Sequence, residues 1–106
     1  MTWLLPPLPP KWDAALRDVR AQRSEARIAA AQRLAEPGPG QLDAALDGLH
    51  ELVKHVDPRT RAAALDALGE LADVRSLPQL TAALEDELSW VRELAVLALA
   101  RLPAEQ

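Results

Sequence analysis

The sequence contains no cysteine, no phenylalanine and no tyrosine among its 106 residues. Without cysteine the chain can form no disulfide, thiol nucleophile or cysteine-ligated metal site. Aromatic residues make up 3% of the chain and apolar residues 49%, so leucine and alanine supply most of the apolar bulk. These residues favour helices, whereas the β-branched and aromatic residues that strands prefer are few. The composition therefore predicts one all-α domain.

Long apolar runs and a strong basic charge are also missing. No stretch of uninterrupted apolar residues is long enough to span a bilayer, and the start MTWLLPPLPP lacks the basic residues of a secretory signal. Residues 1–36 hold six Arg and Lys against four Asp and Glu (+2), and 37–106 hold six against twelve (−6). A duplex-binding domain usually has a coherent basic face. We therefore expect a cytoplasmic protein that binds neither membrane nor nucleic acid.

The chain repeats itself. TRAAALDALGEL (60–71) aligns with VRELAVLALARL (91–102) at an offset of 31, and ARIAAAQRLAE (26–36) precedes the former at an offset of 34. Between these copies, WDAALRDVRAQRSEAR (12–27), LDGLHELVKHVDPRTR (46–61) and LPQLTAALEDELSWVR (77–92) align without gaps. Positions related by these offsets are called repeat-equivalent below. Such a fixed period is typical of stacked repeat units.

Each copy has the periodicity of an amphipathic helix. Apolar residues recur at steps of three and four, with acidic and basic residues on the other side, for example at Leu42, Leu46, Leu49, Val53 and Val56. Ser24, Asp57, Ser76 and Ser89 are predicted N-caps, Pro58 follows Asp57 as a first helical residue, and Pro103 ends the last helix. The pattern predicts six helices near 10–22, 24–36, 41–56, 58–72, 76–87 and 89–102.

The middle repeat carries a recognisable motif. The pattern D-x-x-x-R-x-x-A-x-x-A-L-G runs from Asp57 to Gly69, and L-x-x-L-x-x-x-L-x-D runs from Leu77 to Asp86. This pattern resembles the HEAT repeats of the phycobilin-lyase type found in short bacterial proteins. The resemblance covers about 12–102, although Arg23 and Leu88 replace the aspartate in the outer copies. It implies a right-handed α-solenoid of about three stacked helical hairpins, with one helix of each lining a groove.

The resemblance also implies a function. Members of this family mostly recognise proteins, while some are bilin lyases, one group is a di-iron hydroxylase and another is a DNA glycosylase. The hydroxylase branch binds iron through His-Glu pairs on successive repeats, but His50-Glu51 has Leu16-Arg17 and Thr81-Ala82 at the repeat-equivalent positions. We therefore expect a non-catalytic scaffold for protein–protein interaction, with no cofactor and no metal. Nucleic-acid binding through the arginine-rich amino-terminal helices is the alternative, and a relative of the lyases or hydroxylases ranks third.

The last helix is predicted to be a docking surface. Trp90, Leu94 and Leu97 stand where the middle repeat has Arg59, Ala63 and Asp66. A helix apolar on nearly all sides is unusual at an exposed surface. The expected partner is a second copy in a two-fold dimer or another protein. The alternatives are that the chain is part of a longer solenoid, or that its tail folds over this end.

A second predicted contact surface carries both charges. Around Arg17 and Arg20 the polar face aligns with Glu51 and Lys54 of the next repeat, beside Asp47. The family places these positions on the groove side, and mixed charge favours a polar protein segment. The repeated arginines, Arg27, Arg61 and Arg92, either form a ladder for phosphates or carboxylates or pair with neighbouring acids. We favour pairing, as between Asp57 and Arg61 on one helix.

The chain is divided into a proline-rich cap (1–10), a repeat domain (11–103) and a short tail (104–106). The segment Pro6 to Lys11 matches P-x-x-P-x-K, a ligand motif of SH3-like domains. We instead favour an apolar strip that covers the open end of the first helix. The acidic run Glu85-Asp86-Glu87 is predicted to be a solvated loop.

Overall fold

The computed structural model describes residues 11–104. This part of the chain contains no strand, and none of its helices is long and apolar enough to cross a membrane. It forms six α-helices and one 3₁₀ helix: α1 (Trp12–Asp18), α2 (Ser24–Leu34), α3 (Leu42–Leu52), α4 (Pro58–Leu71), the 3₁₀ helix (Val74–Ser76), α5 (Leu77–Ala83) and α6 (Ser89–Ala100). The predicted all-α class is confirmed. The cap predicted at 1–10 lies outside the described residues.

The helices form three hairpins that stack in order: α1 with α2, α3 with α4, and α5 with α6. Helix α4 packs between α2 and α6, so these three helices form one continuous row. Helices α1, α3 and α5 flank this row, and α1 touches α3 over a small area. Because no single hairpin can cover its own apolar stripe, the core is shared between neighbours. Its largest fully buried side chains include Leu34, Leu49, Leu52, Leu65, Leu68 and Leu80.

Small residues allow the helices of the central row to approach closely. Ala64, Ala95 and Ala98 are buried between them. A Cβ atom added to Gly69 would lie 3.2 Å from the Cα atom of Ala98, so α6 crosses directly over this glycine. The alanine and glycine positions of the repeat therefore set the spacing between hairpins.

Of the four predicted N-caps, Ser24 and Ser89 are wrong, and Ser76 stands at the N-cap position of α5 without a side-chain capping bond. The Asp57 carboxylate does accept a hydrogen bond from the Arg59 N–H at 3.1 Å, and Pro58 is the first helical residue. In contrast, Ser24 and Ser89 are already helical, and neither N-cap residue before them makes a side-chain capping bond. At α6, the carboxylate of Asp86 accepts from the N–H of the N-cap residue instead, at 3.0 Å.

Helices α1, α3 and α5 are shorter than predicted. Helix α3 ends at Leu52, and the N–H groups of Lys54 and His55 bond three residues back, which tightens the last turn. The residue before a proline avoids the helical conformation, so the chain must leave the helix before Pro58. Val56, predicted to continue the apolar stripe of α3, lies in this connector with 87% of its surface exposed.

Candidate interaction surfaces

The predicted docking residues of α6 lie together on one side of the helix. We call Trp90, Leu94 and Leu97 the α6 patch. Trp90 is 44% exposed and Leu97 63% exposed, while Leu94 is half-buried between them. Spacing of four and three residues places all three side chains on one face. The α6 patch is therefore an apolar surface on the last helix. Trp90 and Leu97 are exposed as predicted, whereas Leu94 is only partly exposed.

A depression lies beside the α6 patch, between α4 and α6. Its volume is about 360 Å³, and it exists because small residues, Gly69 and Ala98, form its floor. Leu94 and Leu97 form one wall, and Asp66 and Arg101 also line it. This arrangement of an apolar floor and charged margins suits an apolar side chain that carries a polar neighbour.

The predicted mixed-charge surface lies between α1 and α3. An open depression of about 680 Å³ is lined by Arg17, Arg20, Asp47 and Glu51, together with apolar residues of both helices. Lys54 lines a neighbouring depression of about 540 Å³ that shares Asp47 and Glu51. The structure thus brings all five predicted residues into one region, which we call the mixed-charge surface. That this region binds a partner stays a prediction.

One ion pair crosses the mixed-charge surface. The Arg20 guanidinium lies 3.3 Å from the Glu51 carboxylate, and both side chains are more than half exposed. Exposed pairs of this kind contribute little to stability, at most about 1 kcal/mol. The charges are therefore available to a partner at small cost to the fold.

Two of the three repeated arginines, Arg27 and Arg61, join one repeat to the next. The buried Arg27 side chain donates to the Ala21 and Gln22 carbonyl oxygens of the turn before its own helix. It also donates to the Asp57 carboxylate and Thr60 hydroxyl of the next repeat, at 3.2 and 3.0 Å. Burial tends to raise the pKa of Asp57, but the hydrogen bonds that its carboxylate accepts lower it below the ordinary value.

Arg61 repeats this arrangement one hairpin later. It donates to the His55 and Val56 carbonyl oxygens and forms two hydrogen bonds, at 2.8 and 3.1 Å, with the Asp86 carboxylate. The expected pairing with acids is confirmed for Arg27 and Arg61 but not for Arg92, and the partner expected for Arg61 is wrong. Arg61 pairs with Asp86 of the following turn, and Asp57 pairs with Arg27 of the preceding helix. The prediction that Asp86 is solvated is likewise wrong, since 9% of its side chain is exposed.

The repeat pattern is matched by a known family. Residues 13–100 match the family model of HEAT repeats. The chain belongs to the HEAT-repeat family. No curated protein matches it significantly. HEAT repeats generally mediate protein–protein interaction, which agrees with hairpins tied to one another by buried arginines and with side chains left exposed on their outer faces.

The arginine-rich helices of this HEAT protein do not form a free basic face. Arg27 is buried and bound to the Asp57 carboxylate. Arg20 pairs with Glu51, and Arg17 lies 3.6 Å from the Asp18 carboxylate. Arg33 stacks over the Trp12 ring at 5.2 Å from the ring centre and donates to a main-chain carbonyl. Nucleic-acid binding usually needs a coherent basic face, and here carboxylates or main-chain acceptors lie among the arginines. The structure therefore adds no support to the nucleic-acid alternative.

His50 has a structural partner. Its Nε2 atom lies 2.9 Å from the Oγ atom of Ser76, which is fully buried, so the contact ties α3 to the 3₁₀ helix. No group of three or more potential metal ligands occurs within residues 11–104. Burial lowers the pKa of His50, and the opposing effect of nearby Asp47 and Asp73 is smaller. The Ser76 contact was not predicted, because its partners stand 26 residues apart without a motif.

The lowered pKa of His50 makes the stability of the fold depend on pH. Because the folded state binds this proton less readily than the unfolded state, the stability contributed by neutral His50 is complete above the ordinary pKa. It is lost as the pH falls through the lower, folded value. Urea unfolding between about pH 7 and 5 should show this decline. His50→Gln should reduce this decline; an unchanged slope in His50→Gln would contradict the assignment.

Proposed function

We propose that the chain is a non-catalytic scaffold that binds another protein through the α6 patch. The observation that carries this proposal is the exposure of Trp90 and Leu97 where the repeat-equivalent residues of α4, Arg59 and Asp66, are polar. Tryptophan is among the residues that contribute most to binding at protein interfaces. The adjoining depression offers a place for an apolar side chain of the partner.

The mixed-charge surface is proposed as a second contact, for a polar segment of the same partner. Its exposed ion pair and open depression support this role, because charged rims chiefly set the orientation and rate of association. A cytoplasmic location and the phycobilin-lyase type of repeat belong to the same proposal. They are supported by the absence of cysteine and by the Asp57–Gly69 motif.

Cross-linking tests the proposal. A photo-reactive amino acid replaces Leu97 of the full chain in its source cells, and the cross-linked protein is identified and purified. Its affinity for the chain is then measured by calorimetry. Trp90→Ala and Leu97→Asp should each weaken binding by about thirtyfold, as expected for central interface residues.

Gln32 supplies the matched control. It is the repeat-equivalent of Leu97 in α2 and is also exposed. Gln32→Asp should leave the affinity unchanged, and a cross-linker at this position should not capture the same protein. Equal capture from both positions, or binding that tolerates Leu97→Asp, would reject the α6 patch. Sedimentation of the purified chain with and without Leu94→Asp/Leu97→Asp shows whether the partner is a second copy.

A further inference from the structure

A second apolar surface lies at the end of the stack, distinct from the α6 patch. On α4, the stripe of Arg61, Leu65 and Leu68 is covered by the third hairpin, and both leucines are fully buried. The repeat-equivalent stripe on α6 consists of Arg92, Val96 and Leu99. We call this stripe, together with Leu77 of α5, the end face. Val96 is 55% and Leu77 45% exposed. Within the part of the chain that the structure describes, the end face thus has the composition of an internal contact without its cover.

The bonds of Arg92 indicate which group a partner packed on the end face should present. Arg27 and Arg61 each bind carbonyl oxygens of the preceding turn and a carboxylate of the following hairpin. Arg92 makes the first kind of bond, to the Asp86 carbonyl oxygen at 2.7 Å. Among residues 11–104 it has no carboxylate partner within 4.0 Å. The two internal contacts therefore indicate a missing carboxylate at the third.

We propose that the end face docks a HEAT-type helical hairpin of a partner protein, whose turn presents an aspartate or glutamate to Arg92. Apolar residues of that hairpin cover Val96, Leu99 and Leu77, as α6 covers α4. This inference rests on the proposed function, because it specifies the chemistry of a protein partner. It uses a different surface from the α6 patch.

Charge disfavours a second copy stacked head to tail. Inside the stack the carboxylates that receive arginines belong to Asp57 and Asp86. At the corresponding positions of the first hairpin the chain has Arg23 and Ala21. The Arg23 side chain is 84% exposed and lies 4.0 Å from the Glu25 carboxylate, so a copy stacked on the end face would bring an arginine, and not an aspartate, opposite Arg92. Like charges in such a contact oppose association, whereas an acidic turn completes the existing pattern.

The chain's own third hairpin is a suitable probe. A synthetic peptide of residues 72–102 contains the segment that covers α4, including Asp86. It should bind the full chain in calorimetry, and Asp86→Asn in the peptide or Arg92→Met in the chain should each weaken binding by about tenfold, the size expected for one charge-assisted contact. The two changes together should cost little more than either alone.

A fused variant covers the case in which the peptide is too unfolded to bind. A second copy of residues 72–102 replaces 103–106, which keeps the offset of 31. The fusion should unfold at a higher urea concentration than the parent chain. This gain should shrink when the copied Asp86 is changed to Asn, and that change should have no effect in an Arg92→Met background.

Three results would overturn the inference. The first is that neither the peptide binds nor the fusion is stabilised. The second is that both effects are insensitive to Arg92 and Asp86. The third is a parent dimer in sedimentation that Val96→Glu dissociates, because a second copy then occupies the end face. Trp90→Ala should not alter peptide binding, because Trp90 belongs to the α6 patch. If the peptide experiment fails, the proposed function is still tested independently by the cross-link at Leu97.

Discussion

Leu65→Ala should lower the free energy of unfolding by about 3 kcal/mol, the middle of the range for buried leucines. The Leu65 side chain is fully buried between α4 and the third hairpin, so truncation leaves a cavity that the neighbouring helices cannot fill. Val96→Ala, at the repeat-equivalent position, should change the free energy of unfolding by less than about 0.5 kcal/mol, because an exposed side chain leaves no cavity. Urea denaturation followed by circular dichroism measures both.

Leu65 and Val96 differ in size, so a second pair of variants compares two leucines. Leu68 is fully buried, and its repeat-equivalent, Leu99, is half-buried at the end face. Leu68→Ala should therefore cost clearly more than Leu99→Ala, with the dependence on urea unchanged in each variant. If Val96→Ala and Leu99→Ala were as costly as their counterparts in α4, the end face would already be covered in solution.

The number and order of the helices could be predicted because one repeat constrains the others. Arginines at 27, 61 and 92, each followed by alanine and leucine at the same spacing, align three helices without knowledge of their contacts. Helix ends were harder to predict, because another residue can occupy the hydroxyl of the expected cap or take over its role. Ser24 and Ser89 are good N-cap types, yet the Ser24 hydroxyl accepts from Arg59 of the next repeat. At α6 a carboxylate two residues before Leu88 takes the capping role.

The candidate surfaces could likewise be predicted where repeat positions are compared, but not where three-dimensional packing decides. Comparing Trp90 and Leu97 with their polar equivalents was enough to predict an exposed apolar face. The partial burial of Leu94 depends on how closely α6 approaches Gly69, which sequence comparison does not give. The role of Asp86 was also hidden. Three acidic residues stand in a row there, and only the stacked geometry shows that the middle one meets an arginine 25 residues earlier.

Arg61→Met should lower the free energy of unfolding by about 3 kcal/mol, as expected when one partner of a buried ion pair is removed. The side chains of Arg61 and Asp86 are 11% and 9% exposed. The methionine would leave the Asp86 carboxylate and the His55 and Val56 carbonyl oxygens without these bonds. Arg92→Met is the matched control, because the same change there removes one main-chain contact at an exposed site. It should cost less than about 1 kcal/mol.

The pH dependence separates the loss of the ion pair from a general loss of packing. Burial tends to raise the pKa of Asp86, but the hydrogen bonds from Arg61 and the Leu88 N–H lower it below the ordinary value. Because the folded pKa is lower than the unfolded one, this carboxylate stabilises the fold above the unfolded pKa. Its contribution is lost as the pH falls through the folded value. Urea midpoints measured from about pH 6 to 3 should therefore fall less steeply in Arg61→Met than in the parent. An equally steep fall in both would mean that Arg61 acts through packing of its carbon chain, and that the tie between the second and third hairpins is not ionic.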